Sequence, residues 1–296
     1  MPAAPAAPAA PSGPTGAGAA GHEQLGFEGM PERLYAATPT RLTTWLDCPR
    51  RYRLTYLDRP APVRAGAWAH TSVGTAVHQA MADWWALPVR ARTPAAAARL
   101  VRSRWRPEGF RDAAQSGRWA EKVADETAAY AATQDPSSRP VGVELTVSAR
   151  TPVLALSGRV DRLDDRDGEL VVVDYKTSRR ALGADEAAGS LAMGLYAVCV
   201  AAVLRRPCTA VELHHVPTGA VVRHDHDEAS LQQHVSTAER VGARLASADA
   251  AHEHGTSAEE FTPRPGPRCG WCDVRQHCPE GRRATPQRLP WSALEP

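Results

Sequence analysis

Apolar residues along this chain keep one spacing in the first half and a different one beyond it. From about residue 41 to residue 133 they recur every three or four positions, the repeat of helices that bury one face. Leu42, Trp45 and Leu46 run toward Tyr52 and Tyr56 behind Thr40, which is placed to cap them, and Pro60 and Pro62 then begin a loop. Val77, His78, Met81, Trp84 and Trp85 mark a second helix from Gly74. Thr93-Pro94 carries the cap and first-turn signature of a third, reaching about Trp105, and a fourth covers Arg118 to Thr133. Beyond Pro136–Pro140 the period changes. Residues 141–148, 153–161 and 170–175 read as strands, the last two joined into a hairpin by the turn residues of 164–168. An Ala-rich helix over 184–204, strands over 210–216 and 220–224, and a helix over 228–251 follow. The pattern predicts a mixed α/β core with a helical cap.

Composition adds bounds. The chain has 296 residues, 43% of them hydrophobic, enough for one large domain or two small ones. A net charge of +2 does not announce a nucleic-acid partner, so charge has to be read locally. Residues 1–37 are dominated by Pro, Ala and Gly and read as a disordered tail, and 286–296 as a second tail around a domain spanning 38–285. With no secretory leader and no apolar run long enough for a membrane, the expectation is a soluble cytoplasmic protein. A G-x-G-x-x-G spacing at Gly16, Gly18 and Gly21 follows no strand and is not read as a dinucleotide site.

The chemistry concentrates in two places. Of the 35 lysines and arginines, only Lys122 and Lys176 are lysine. Lys176 stands two residues after Asp174, at the end of the apolar run Val171–Val173, and Asp161 ends the strand expected to pair with it. Side chains two apart on a strand share a face, so Asp174 and Lys176 point together while Tyr175 turns away. Two carboxylates that converge on Mg²⁺, with an ammonium to orient water, suit metal-assisted phosphodiester hydrolysis. The bland alternative is a solvated Asp and Lys closing an ordinary hairpin. His78 is either a ligand or a packed core histidine.

The second place is the cysteines. Cys269, Cys272 and Cys278 cluster near the C-terminus, and Cys48 lies far upstream. One distant and three close thiolates suit a [4Fe–4S] cluster, with Zn²⁺ the alternative. Such a site would close a loop of more than two hundred residues; by analogy with a disulfide this would stabilise the fold by about 5 kcal/mol. Cys199 and Cys208 read as small buried side chains. The histidine pairs at 214–215, 224–226 and 252–254 lack a supporting ligand set and read as surface or strand residues.

Leu42-x-x-Trp45-x-x-Cys48-Pro49-x-x-Tyr52, Gly74-Thr75-x-x-His78, Gly158-Arg159-Val160-Asp161, Val173-Asp174-Tyr175-Lys176-Thr177 and Cys269-x-x-Cys272-x5-Cys278-Pro279 occur in this order. In these motifs the chain resembles the RecB-like, iron–sulfur (AddB-type) branch of the PD-(D/E)XK nucleases. The resemblance implies a restriction-endonuclease-like core, a mixed sheet flanked by helices, with a C-terminal Fe–S staple. It implies Mg²⁺ or Mn²⁺ at His78, Asp161 and Asp174, catalysis by Asp161, Asp174 and Lys176, and a [4Fe–4S] cluster on Cys48, Cys269, Cys272 and Cys278. Glu144 would do no more than support those ligands. The family's glutamine, four residues before Tyr196, is replaced by Ala192. The implied function is a divalent-metal-dependent DNA (exo)nuclease of repair or recombination acting on single strands or duplex ends, with a separate helicase or repair subunit as partner. The alternative is a non-catalytic DNA-binding or scaffold subunit. Arg50, Arg51, Arg53 and Tyr196 are candidate DNA contacts, the arginines of 264–288 would extend the basic patch, and Trp271 and Tyr52 are candidates for base stacking.

Overall fold

The computed structural model describes residues 34–256 and 259–294. Its centre is a six-stranded sheet. Strand β3 (Leu154–Arg166) pairs antiparallel with β2 (Gly142–Arg150), antiparallel with β4 (Glu169–Lys176), and parallel with β1 (Tyr35–Ala37). Beyond β4 lie a parallel β5 (Ala210–His215) and an antiparallel edge strand β6 (Ala220–Asp225). The β3–β4 hairpin turns in two residues, Asp167 and Gly168, with φ of 52° and 94°. Two positive φ values suit the right-handed twist of the flanking strands. Residues 164–166, read as turn, instead extend β3.

Helices cover both faces. One core joins the sheet to α1 (Pro39–Asp47), α2 (Pro49–Tyr56), α7 (Leu191–Leu204) and α8 (Glu228–Glu253), through Leu42, Val172, Leu195 and Leu245. The other joins it to α3 (Ala69–Ala86), α4 (Pro94–Arg104) and α5 (Ala113–Ala132), through Val77, Trp84, Val101 and Tyr130. Along β4 the split follows the strand's period: Leu170 and Val172 face the first core, Val171, Val173 and Tyr175 the second. This mixed sheet between helical layers is the α/β architecture read from the sequence.

Several boundaries differ for local reasons. The first expected helix is two, broken at Cys48, and its cap is Thr38, whose hydroxyl accepts from Arg41 N at 3.1 Å, because Pro39 occupies the first turn. The Ala-rich helix is broken at Ser190 into α6 (Glu186–Gly189) and α7, and Ser190 caps the second piece. Tyr35–Ala37, placed in the tail by composition, is a strand paired with Leu154–Leu156. At the other end Leu294 is buried and the Pro290 carbonyl accepts from Ala69 N at 3.1 Å, so 290–294 packs on the domain. The remainder of the expected N-terminal tail, with its G-x-G-x-x-G spacing, lies outside the described residues. No helix among the described residues is long and apolar enough to cross a membrane.

A buried ionic knot supports β5. Glu212 takes Arg166 at 2.7 Å and His214 at 2.8 Å, and these contacts outweigh burial to pull its carboxyl from 4.5 to about 2. A depressed acid stabilises the fold fully above its unfolded pKa and loses that contribution as pH falls toward the folded value. Glu212→Gln is therefore expected to cost about 2 kcal/mol at neutral pH, with the gap to wild type closing between about pH 4.5 and pH 2. Urea midpoints measured across that range check both size and sign.

Candidate metal and cysteine sites

The first site lies where the sheet comes apart. β3 and β4 are paired from Arg166↔Glu169 up to Arg162↔Val173. Past that point Tyr175 N donates to Asp161 Oδ2 at 2.8 Å, a side chain standing in for the strand. On the other edge of β3 the register with β2 holds on both sides of Asp161, as Val143↔Arg162 and Leu145↔Val160. Between them Glu144 has φ 51°, in the left-handed region. The alternation of faces reverses there. Val143 packs in the α3–α5 core but Leu145 in the α7–α8 core, and Val160 faces the latter while Arg162 lies 4.8 Å from the Trp85 ring.

This reversal gathers His78, Glu144 and Asp161. One ligand atom from each lies within 4.8 Å of the others, the one such trio of His, Cys, Asp and Glu among the described residues. They line an open cleft of about 610 Å³ together with Thr71, Arg104 and Arg159. His78 Nε2 donates to the Tyr175 carbonyl at 3.0 Å, which leaves Nδ1 3.2 Å from Asp161 Oδ1. Burial opposes a charge on His78, but the Asp161 carboxylate outweighs it and holds the imidazole pKa above its ordinary value. The gap between Nδ1 and Oδ1 thus takes a positive charge, a proton or a cation. Arg159 Nε holds Glu144 Oε2 at 2.8 Å from the other side.

Asp174 and Lys176 stand beside this trio on one face of β4, as the period of two requires, with Nζ 2.6 Å from Asp174 Oδ2. Asp174 Oδ2 is sealed from solvent. Burial pushes the Asp174 carboxyl up, Lys176 pulls it down, and the neighbouring Asp161 charge adds to the rise. A buried carboxylate in this setting calls for further positive charge. Tyr175 turns into the opposite core, its hydroxyl accepting from Trp85 Nε1 at 3.0 Å.

The sequence reading set Asp161 at a strand end, converging with Asp174. Here Asp161 is inside β3, and the close trio contains Glu144, with Asp174 held by Lys176. Glu144, expected only as support, is the residue that sequence reasoning undervalued; its signal was a lone acid in the apolar run of 143–147. The Tyr175 carbonyl accepts from His78. Tyr196 lies beside the carboxylates: burial and the charges of Asp174 and Asp161 push its hydroxyl up to about 12. Its ring crosses β3 at Gly158, where a Cβ would come within 2.5 Å of it, so that position of the motif requires glycine.

In the second site Cys48, at the break between α1 and α2, lines one cavity of about 460 Å³ with Cys269, Cys272 and Cys278. All six cysteines are free of disulfides. Arg264 N donates to Cys48 Sγ at 3.4 Å and Gly281 N to Cys278 Sγ at 3.3 Å. Burial pushes the Cys272 and Cys278 thiols up, so as thiolates they need a positive partner. A single tetrahedral Zn²⁺ would set its sulfurs about 3.8 Å apart. No three of these sulfurs lie within 4.8 Å of one another.

The expected DNA-binding arginines are engaged in building this lobe. Arg50 donates to the Phe261 carbonyl at 3.1 Å, Arg51 meets Asp273 at 3.3 Å, and Arg53 meets Asp58 at 2.8 Å. Arg268 pairs with Asp47, and Arg275 donates to the Thr285 carbonyl. Tyr52 is fully buried, its hydroxyl held by Arg41 and Asp249, and offers no face to a base. His214, His215 and His226, by contrast with surface histidines, are buried on or just after the sheet strands.

No curated protein matches the chain. The family model described as the PD-(D/E)XK nuclease superfamily matches residues 36–279, from β1 to the start of the last helix, and so spans both sites. A mixed sheet whose parting strands carry Asp161, Asp174 and Lys176, matched along most of its length to that model, places the chain in the PD-(D/E)XK nuclease superfamily.

Proposed function

We propose that the protein is a Mg²⁺- or Mn²⁺-dependent deoxyribonuclease of the RecB-like, iron–sulfur branch, acting on single strands or DNA ends in repair or recombination. The observation that carries this reading is the His78–Glu144–Asp161 trio opening on a cleft beside the Asp174–Lys176 pair. Three carboxylates are hard donors suited to a divalent ion, an imidazole nitrogen completes the set, and the raised Asp174 carboxyl marks a site short of positive charge. Such an ion supplies charge neutralisation on the phosphoryl group and acidifies a water. Glu144, Asp161 and His78 would hold it, with Asp174 adjacent. Lys176 would orient the attacking water or hold a phosphoryl oxygen, and Tyr175, through its carbonyl, fixes the imidazole.

In the same reading Cys48, Cys269, Cys272 and Cys278 hold a [4Fe–4S] cluster. Their donor type and their arrangement, one distant and three close cysteines lining one cavity, support iron over zinc. The cluster acts as a staple between the α1–α2 break and the C-terminal lobe. A helicase or repair subunit would supply the strand.

End-labelled single strands incubated with anaerobically purified protein test the proposal. Cleavage is expected with Mn²⁺ or Mg²⁺ and not in chelator, leaving 5′-phosphates. Glu144→Gln is expected to raise the Mn²⁺ concentration for half-maximal rate by about tenfold. Protein that binds strands but never cleaves them at any Mn²⁺ concentration would be a scaffold subunit instead.

A further inference from the structure

Helix α3 carries His78 into the cleft, and its N-terminal end carries a group of aromatic rings that the metal site does not use. Trp68, just before the helix, lies 5.1 Å from Trp271 and 6.0 Å from His70 between ring centroids. His70 and Trp271 meet edge to face at 5.5 Å and 90°. The Arg288 guanidinium stands 5.0 Å from the centre of the Trp271 ring. His70 and Arg288 are exposed, the two tryptophans half-buried, and Leu289 beside them is 54% exposed. This surface is richer in aromatic and apolar groups than a soluble fold needs.

The group is held stiffly. At Gly109, with φ 87°, a Cβ would come 2.6 Å from the Trp68 carbonyl carbon, so the loop of 107–110 seats directly on the start of α3. Ser72 Oγ donates to the Glu108 carbonyl at 2.8 Å, and Ala69 N to the Pro290 carbonyl at 3.1 Å. Rings fixed from three segments lose little freedom when a ligand stacks on them. Direction is fixed too. His70, Gly74 and His78 follow at intervals of four along one ridge of α3, so His70 and His78 are about 12 Å apart along the axis. Thr71, Gly74 and Thr75 form the cleft wall between them.

We infer that Trp68 and His70, backed by Trp271, form a base-stacking platform that takes single-stranded DNA and leads it along α3 to the metal cleft. The inference rests on the nuclease reading of that cleft and narrows its substrate to the unpaired strand. Bases of a single strand have free faces for aromatic rings, whereas those of a duplex are already stacked and paired. Arg288, against Trp271, adds positive charge for the backbone next to the stacked bases.

The test is equilibrium binding by the full, anaerobically purified chain in chelator, read by anisotropy of labelled oligo(dT) and of a blunt hairpin duplex. Trp68→Ala and His70→Ala are each expected to weaken oligo(dT) binding by about tenfold. Trp68→Phe, which keeps a ring face, is expected to stay within about threefold of wild type, and duplex affinity within about twofold for all variants. Trp271 is left intact because it stands among the cysteines. Oligo(dT) binding unchanged in the alanine variants, a Phe variant as weak as Ala, or an equal loss on duplex would each overturn the platform. Since the chelator leaves the cleft no divalent ion, binding that behaves as expected in a chain that never cleaves DNA would refute the nuclease reading alone.

Discussion

Lys176→Ala is expected to slow single-strand hydrolysis by about three orders of magnitude while changing strand affinity by less than about threefold. Lys176 is one of only two lysines in an arginine-rich chain, and its ammonium lies 2.6 Å from Asp174 in a setting where burial penalises the bare carboxylate. On the nuclease reading, a group so placed would neutralise charge that grows on the phosphoryl oxygens, a contribution made in the transition state and largely absent from ground-state binding. Asp174→Ala is expected to be equally severe. The double variant should be little worse than either, because the two side chains act as one unit. Single-turnover rates at saturating Mn²⁺, alongside anisotropy on the same strands, separate the two effects. A loss below about tenfold in Lys176→Ala would remove this residue from the chemistry.

The second large effect is on stability. Cys278→Ser is expected to abolish the visible absorbance of an iron–sulfur protein and to lower the thermal midpoint by about 10 °C or more. The lobe it belongs to has almost no core of its own: Leu54, Val274 and Cys278, with Cys272 packed against them. On the iron–sulfur reading, ligation would therefore add to the contacts of Arg50, Arg51 and Arg268 in joining the Cys48 break to the C-terminal segment. The rest of the first two helices should survive the change, because Arg41, Tyr35 and Tyr52 tie them to Asp249 of α8. Anaerobic melting with metal analysis decides the point. A midpoint unchanged by the serine, in protein containing neither iron nor zinc, would show the cysteines to be unliganded thiols.

Much of the fold was legible because period and punctuation agree locally. Thr93 does cap α4, accepting from Ala96 N at 3.1 Å; the Asp-Gly turn does close the β3–β4 hairpin; and the run of 170–175 alternates between the two cores as its spacing predicts. The pairing of Asp174 with Lys176 follows from that alternation. What stayed hidden is what tertiary contact decides. Tyr35–Ala37 becomes a strand only because β3 is long enough to offer it an edge, and composition cannot report that. Arginines after Cys48 look like a phosphate surface in sequence, yet their partners Asp58, Phe261 and Asp273 are brought to them by the fold. The role of Glu144 depends on a reversal of faces that leaves no trace in the regular spacing of Val143, Leu145 and Val147.

That left-handed kink has an evolutionary price tag of its own. Holding a glutamate at φ 51° costs roughly 1 kcal/mol or more, which glycine would not incur. On the nuclease reading, selection for heat tolerance alone would favour glycine at position 144 and strip the cleft of an acid, setting robustness against turnover at this one codon.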